Sequence, residues 1–268
     1  MSLAAAQKRT WRKPPLIGNR NLRWAIYAGA VVYLVVAFGS VDVNWTRIQE
    51  GASRGMAFVL AFFRPDFVSR SEDIAYGFAE SLAMTGVASV LGVLVSVPIG
   101  LGAARNISIA PVYLVCRSII AISRAFQEVI VAILFVAMFG FGPFAGVLTL
   151  TFASVGFLAK LLAEDIEDID PGQVEAVRAT GASWSQLINY AVQPQVAPRL
   201  VGLMLYRMDI NFRESAVIGI VGAGGIGATL NTAFDRYEFD SAAAILIAII
   251  AIVMLAEYSS GYIRKRLV

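Results

Sequence analysis

Long apolar runs dominate this sequence and constrain its fold more than any other feature. A helix that crosses the hydrocarbon core of a bilayer needs about 20 apolar residues, because each residue advances the helix by about 1.5 Å. Six runs meet or approach this length, at residues 24–41, 77–104, 112–139, 144–163, 200–221 and 242–263. Charged residues make up only 15% of the chain, against about 25% in soluble domains. The sequence therefore predicts an all-α integral membrane protein with six transmembrane helices.

Basic residues at both ends of the sequence predict its orientation. Cytoplasmic flanks of membrane spans collect lysine and arginine, and here they lie at Lys8, Arg9, Arg12, Lys13, Arg20, Arg23, Arg264, Lys265 and Arg266. We therefore expect both termini in the cytoplasm. The predicted order is a basic arm at 1–23, a first span at 24–41, an extracytoplasmic loop at 42–76, a core of five spans at 77–263 that includes a cytoplasmic loop at 164–199, and a cytoplasmic tail at 264–268.

The cytoplasmic loop between the fourth and fifth runs is predicted to form two short helices. Asp170 is a suitable N-cap, and Pro171 fits the first helical position. Gly181 is a suitable stop for this helix, since glycine readily adopts the left-handed conformation that follows many helices. Ser183 can cap a second helix, which we expect Pro194 to end.

The same loop resembles the cytoplasmic coupling motif of ABC importer permeases. That motif reads Glu-Ala-Ala, three residues, Gly, nine residues, Ile, any residue, Leu-Pro. This chain has Glu175-Ala176-Val177, then Gly181, then Ala191-Val192-Gln193-Pro194, so both spacings match while Val177, Ala191 and Gln193 depart. The resemblance implies that a short helix docks on a partner ATPase, through Glu175, Ala176, Gly181, Trp184 and Pro194. The alternative is an ordinary loop with a surface helix.

Four further stretches sharpen the resemblance to phosphonate importer permeases, over roughly residue 77 to the C-terminus. They are Phe139-Gly140-Phe141-Gly142-Pro143-Phe144-Ala145-Gly146-Val147-Leu148, Ile169-Asp170-Pro171-Gly172-Gln173-Val174-Glu175-Ala176, Leu205-Tyr206-Arg207-Met208-Asp209-Ile210-Asn211-Phe212-Arg213-Glu214-Ser215 and Val221-Gly222-Ala223-Gly224-Gly225-Ile226-Gly227. One stretch departs: Arg124-Ala125-Phe126-Gln127-Glu128 lacks the proline of the family's Arg-x-x-Pro-Glu. This departure weakens the case for a proline kink in the third span.

Charged residues inside the predicted spans are candidates for a polar path. An ionised side chain at mid-bilayer costs roughly 2.5–3.5 kcal/mol on insertion scales, so it should face protein or water. The candidates are Arg124, Glu128, Arg207, Asp209, Asn211, Arg213 and Glu214. Asp209 and Arg213 are four apart and can pair, whereas Glu214 is expected to lie too far from Arg207 for a local pair. Such residues either lower the barrier to a passing anion or form structural ion pairs, and both interpretations stay open.

This sequence lacks the residues that several kinds of active site require. There is no histidine and one cysteine, Cys116, and no lysine follows the glycine pattern of an ATP-binding phosphate loop. The run at 222–227 fits G-x-G-x-x-G, but it follows a predicted span rather than a strand, so we expect a tight outer turn or a gate hinge. We expect no catalytic site, metal or cofactor in this chain, and the small net charge of +3 is no argument for nucleic acid.

The resemblance implies the type I ABC importer permease fold with a coupling-helix loop, in a bacterial plasma membrane. It also implies a homodimer, two cytoplasmic ATPase subunits that bind ATP and magnesium, and an extracytoplasmic binding protein. The implied activity is transport of phosphonate or a related small oxyanion by alternating access. The alternatives are a permease for phosphite, phosphate or another small solute, a secondary transporter or channel, and an intramembrane enzyme.

Overall fold

The computed structural model describes residue 17, residues 19–40 and residues 44–267. Every regular element in this part of the chain is a helix, which confirms the all-α prediction. The helices are α1 (Arg20–Gly39), α2 (Trp45–Ala61), α3 (Ser71–Ala103), α4 (Ala110–Ala125), α5 (Glu128–Phe139), α6 (Pro143–Glu167), α7 (Pro171–Ala179), α8 (Trp184–Leu187), a π turn (Ile188–Val192), α9 (Gln193–Ile220), α10 (Ile226–Asp235) and α11 (Phe239–Leu267).

Length and composition qualify four of the described helices to cross a membrane. These are α1, α3, α6 and the Phe239–Tyr258 part of α11, and the bent pair of α4 and α5 makes a fifth. Helix α9 is long enough, at 28 residues, but it carries several charged residues and does not join this group. The described part of the chain therefore holds four or five helices suited to cross a membrane, and the count of six remains a prediction.

The chain divides into two compact units, residues 1–55 and residues 56–268. In the first unit, α1 buries none of its residues, as suits a helix whose apolar side chains face lipid. The predicted arm at 1–23 and tail at 264–268 lie partly outside the described residues. The segment at 42–76, predicted as a loop, contains α2 and the first residues of α3 within its described part.

In the second unit, α3 and α6 pack closely along their length because small residues lie at their contact. A Cβ atom at Gly92 would come within 2.6 Å of the Cβ of Ser154, and one at Gly100 within 2.8 Å of the Leu162 side chain. Helix α9 packs against both α3 and α6. These three helices form the frame that holds the polar residues described below.

The third predicted span is broken in two, which corrects the expectation of one long helix. Helix α4 ends at Ala125, Phe126 and Gln127 are extended, and α5 begins at Glu128 at an angle of 93°. The bend forms without a proline. Arg124 lies in the last turn of α4 and Glu128 in the first turn of α5, where each charge interacts favourably with its helix dipole. These charges favour two helix ends over one continuous helix.

Candidate functional site

The break between α4 and α5 borders a cavity of about 430 Å³. Helices α6 and α9 supply its other wall. Its lining includes both charged and aromatic side chains. The lining residues are Ser123, Arg124, Ala125, Phe126, Gln127, Glu128, Ala153, Phe157 and Arg207. Three of the predicted path residues, Arg124, Glu128 and Arg207, are thus brought together from three different helices.

Arg207 is buried, with only 3% of its surface exposed. Its Nε donates to Ser154 Oγ at 3.0 Å, its Nη2 donates to Glu214 Oε2 at 3.1 Å, and Glu128 Oε1 lies 4.0 Å from Nη2. The guanidinium also lies 5.5 Å from the centre of the Phe157 ring, within cation–π range. The expectation that Glu214 is too far away was wrong. Seven residues rise about 10.5 Å along a helix, and the two long side chains together span that distance.

Asn211 ties the three framing helices together below the surface. It is fully buried, and its Nδ2 donates to Ser89 Oγ of α3 and to Ser154 Oγ of α6, each at 3.0 Å. Ser154 also accepts the hydrogen bond from Arg207. The sequence analysis missed both serines, because single hydroxyls are common in apolar helices and carry no spacing signal. Buried polar groups must be hydrogen-bonded, so this network fixes the position of Arg207.

Asp209 and Arg213 form the predicted ion pair, at 2.8 Å. The Arg213 side chain is 47% exposed and that of Asp209 only 9%, and neither lines the cavity at the break. The structure therefore divides the predicted path residues into a cavity group around Arg207 and a separate pair. Arg124 and Glu128, which are four apart in sequence, lie on different helices and make no ion pair with each other.

The loop after α6 has the local chemistry that the sequence predicts. Asp170 Oδ1 accepts a hydrogen bond from the backbone N–H of Gly172 at 2.9 Å, and Pro171 occupies the first turn of α7. Gly181 has a φ of +79°, the left-handed conformation expected of a helix stop. Ser183 and Gln186 form a capping box at the start of α8. The first predicted short helix and the predicted start of the second are therefore confirmed.

Pro194 does not end the second short helix, contrary to expectation. It lies in the first turn of α9, directly after a π turn. The π turn at Ile188–Val192 connects α8 to α9. As a result, helical structure runs from Trp184 into the long helix that carries Arg207.

The predicted coupling residues lie mostly on the outer surface of the loop. Val174, Leu187 and Ala191 pack together on the inner side, while Glu175 and Ala176 are exposed. Trp184 is 57% exposed, and its Nε1 donates to the carbonyl oxygen of Ile107 at 3.2 Å. This arrangement leaves a polar and partly aromatic face of α7 and α8 exposed on the surface.

The glycine-rich run at 222–227 forms a tight turn between α9 and α10, as one reading of the sequence expected. Gly222, Gly224 and Gly225 all have positive φ. The backbone N–H of Gly225 donates to Glu80 Oε2 at 2.7 Å, and that of Ile226 donates to a serine of α3. Glu80 therefore caps a helix that follows it by 145 positions, a contact with no local sequence signal.

Comparison with known proteins identifies what this architecture is similar to. Residues 96–268 match the model of a family described as binding-protein-dependent transport system inner membrane component. A phosphate-import permease protein, PhnE, of Mycolicibacterium smegmatis is 40% identical over 251 residues, which cover 93% of this chain. The chain spans only 47% of the length of that relative.

A second relative and a solved structure agree with the family match. The phosphite transport system permease protein PtxC of Stutzerimonas stutzeri is 42% identical over 187 residues, which cover 69% of this chain and 68% of that protein. The methionine ABC transporter MetNI, solved in inward-facing conformations, has a chain with a TM-score of 0.64 and 26% identity. That match covers 73% of this chain and 96% of the MetNI chain.

Proposed function

Because this chain belongs to the family of binding-protein-dependent transport system inner membrane components, we propose that it is the membrane-spanning permease subunit of an ATP-driven ABC importer. In this proposal six spans cross a bacterial plasma membrane with both termini in the cytoplasm. Two copies of the chain form the path, two ATPase subunits bind ATP and magnesium, and an extracytoplasmic binding protein delivers the substrate. Alternating access carries the substrate across.

The proposed substrate is phosphonate or a related small oxyanion, with phosphite and phosphate as alternatives. The observation that carries this choice is the buried Arg207 in the cavity beside Arg124. A planar guanidinium suits the oxygens of a phosphoryl group, because its parallel N–H donors match their geometry. The names of the phosphate and phosphite relatives support the same substrate class.

The proposed contact with the ATPase subunits is the exposed face of α7 and α8. Glu175 and Ala176 lie on that face, and Trp184 lies at its edge. Gly181 sets the angle between the two helices, and α8 runs through the π turn into α9. A displacement of this loop by an ATPase would therefore reach the helix that carries Arg207.

An uptake assay tests the proposal. Cells that lack their own importers for these anions would express the permease with its ATPase and binding-protein partners. Uptake of labelled methylphosphonate, phosphite and phosphate would be measured separately, with methionine as a comparison solute. We expect uptake of at least one oxyanion, abolished when the ATPase is inactivated. Uptake of methionine alone, or uptake that persists without ATP hydrolysis, would contradict the proposal.

A further inference from the structure

Two carboxylates of the chain itself lie beside Arg207, which is one of two arginines that line the cavity. Arg207 Nη2 lies 3.1 Å from Glu214 Oε2 and 4.0 Å from Glu128 Oε1. The Arg207 side chain is 4% exposed, whereas those of Glu214 and Glu128 are 23% and 33% exposed. One guanidinium carries one positive charge, and one ionised carboxylate beside it is enough to cancel that charge. The cluster therefore has no net positive charge to attract an anion while both carboxylates stay in place.

The geometry distinguishes the roles of the two carboxylates. Glu214 makes a hydrogen bond to Arg207, whereas Glu128 lies at the limit of an ion pair and lines the cavity wall. Glu214 lies on the same helix as Arg207, two turns away, so a change of its side-chain rotamer releases the guanidinium without movement of the backbone. Arg124 lines the same cavity and makes no ion pair within the described residues.

We propose that Glu214 is an internal counter-anion of the translocation site, which holds Arg207 when the site is empty and gives it up to the oxygens of the passing substrate. This inference rests on the proposed function. The retained contacts of Arg207 with Ser154 and Phe157 keep the guanidinium in position during the exchange. Glu214 thus determines how tightly the site holds its substrate.

The exchange explains how a buried arginine can lie on a translocation path without binding the substrate too tightly for release. An unpaired buried charge is strongly unfavourable, so the empty site needs its own anion. When the substrate enters, one charge-assisted hydrogen bond replaces another of similar strength. The substrate is therefore held weakly and leaves readily, as efficient passage requires, and the returning carboxylate completes its release.

Direct binding to the assembled permease–ATPase complex tests this role without the binding protein, whose own affinity would otherwise dominate. The probe is labelled methylphosphonate, measured at equilibrium. Glu214→Gln keeps the size of the side chain and removes its charge. We expect the variant to bind the probe about tenfold more tightly or better, because a hydrogen bond to a charged group is worth at least that factor. Its maximal uptake rate with saturating binding protein should fall. Without the Glu214 carboxylate, nothing competes with the substrate for Arg207, so release of the substrate becomes slower.

Glu238→Gln is the matched control. Glu238 accepts a hydrogen bond from Arg70 Nε at 2.6 Å outside the cavity. That bond holds the pKa of the Glu238 carboxyl below its ordinary value, so the control also removes a full negative charge at neutral pH. Its affinity for the probe should equal that of the wild type. The double variant Arg207→Gln/Glu214→Gln should lose the gain in affinity, because the donor is gone.

Each result decides the role of Glu214. Wild-type affinity in Glu214→Gln, or a gain that persists in the double variant, overturns the inference. If Glu214→Gln does not assemble, Glu214→Asp takes its place, because it keeps the charge but shortens the reach to Arg207. Tighter binding than wild type then supports the exchange, and equal binding overturns it. Failure of the proposed function is a different result, in which the wild type takes up no oxyanion at all.

Discussion

Gly181 offers the sharpest test of the loop between α6 and α9. Its φ is +79°, and a Cβ atom placed there would have no neighbour within 4 Å. A substitution therefore adds backbone strain without a steric clash. A left-handed conformation costs a residue with a Cβ atom about 1–2 kcal/mol, which shifts a conformational equilibrium by about 5- to 30-fold. We expect Gly181→Leu to reduce ATP-driven uptake by up to that factor, while the permease still inserts into the membrane.

The matched variants separate strain from bulk. Gly181→Asn should retain more uptake than Gly181→Leu, since asparagine tolerates the left-handed region. Gly202→Ala should behave as wild type, because its position is helical and also has no neighbour within 4 Å of the added Cβ. Uptake and ATPase rates would be measured on equal amounts of membrane-inserted protein. Normal uptake in Gly181→Leu, or equal losses in the leucine and asparagine variants, would refute the reasoning.

Three further predictions concern the docking face, the second ion pair and the orientation. Glu175→Lys should lower recovery of the ATPase subunits in co-purification, because it reverses a charge on the exposed face of α7; unchanged recovery would remove that residue from the interface. Arg213→Ala should lower the yield of assembled complex, and Asp209→Ala/Arg213→Ala should restore part of it, because the double change leaves no unpaired charge; equal yields would argue against a structural pair. In a variant without the native cysteine, a single cysteine at Ser2 should react from the cytoplasmic side and one at Ser53 from the extracytoplasmic side. Labelling of both from one side would contradict six spans.

Local chemistry was predictable where neighbouring residues alone determine the conformation. The N-cap at Asp170, the stop at Gly181 and the cap at Ser183 each depend on contacts within three residues. The pair of Asp209 and Arg213 follows from the spacing of one helical turn. Such features form from contacts within one or two turns of the chain, so they depend little on how distant helices pack.

The sequence did not predict the contacts between distant residues or the break between α4 and α5. The pairing of Arg207 with Glu214 depends on how two long side chains run along the helix, which spacing rules for adjacent turns do not cover. The cap that Glu80 places on α10 joins residues 145 positions apart. Arginine is favoured at the C-terminus of a helix and glutamate at the N-terminus, a preference that Arg124 and Glu128 follow at the break. That preference would have located the break without any proline.

The break between α4 and α5 also has a consequence for water. The last C=O groups of α4 and the first N–H groups of α5 lack partners within their own helices. In hydrocarbon each such group would cost several kcal/mol, so non-helical backbone at membrane depth occurs only where protein or water satisfies it. The segment at Phe126 and Gln127 borders the cavity, so we expect water in that cavity to satisfy these backbone groups. Water there would also raise the effective dielectric around the side chains of Arg124 and Glu128, which reduces the cost of placing charged groups inside a membrane.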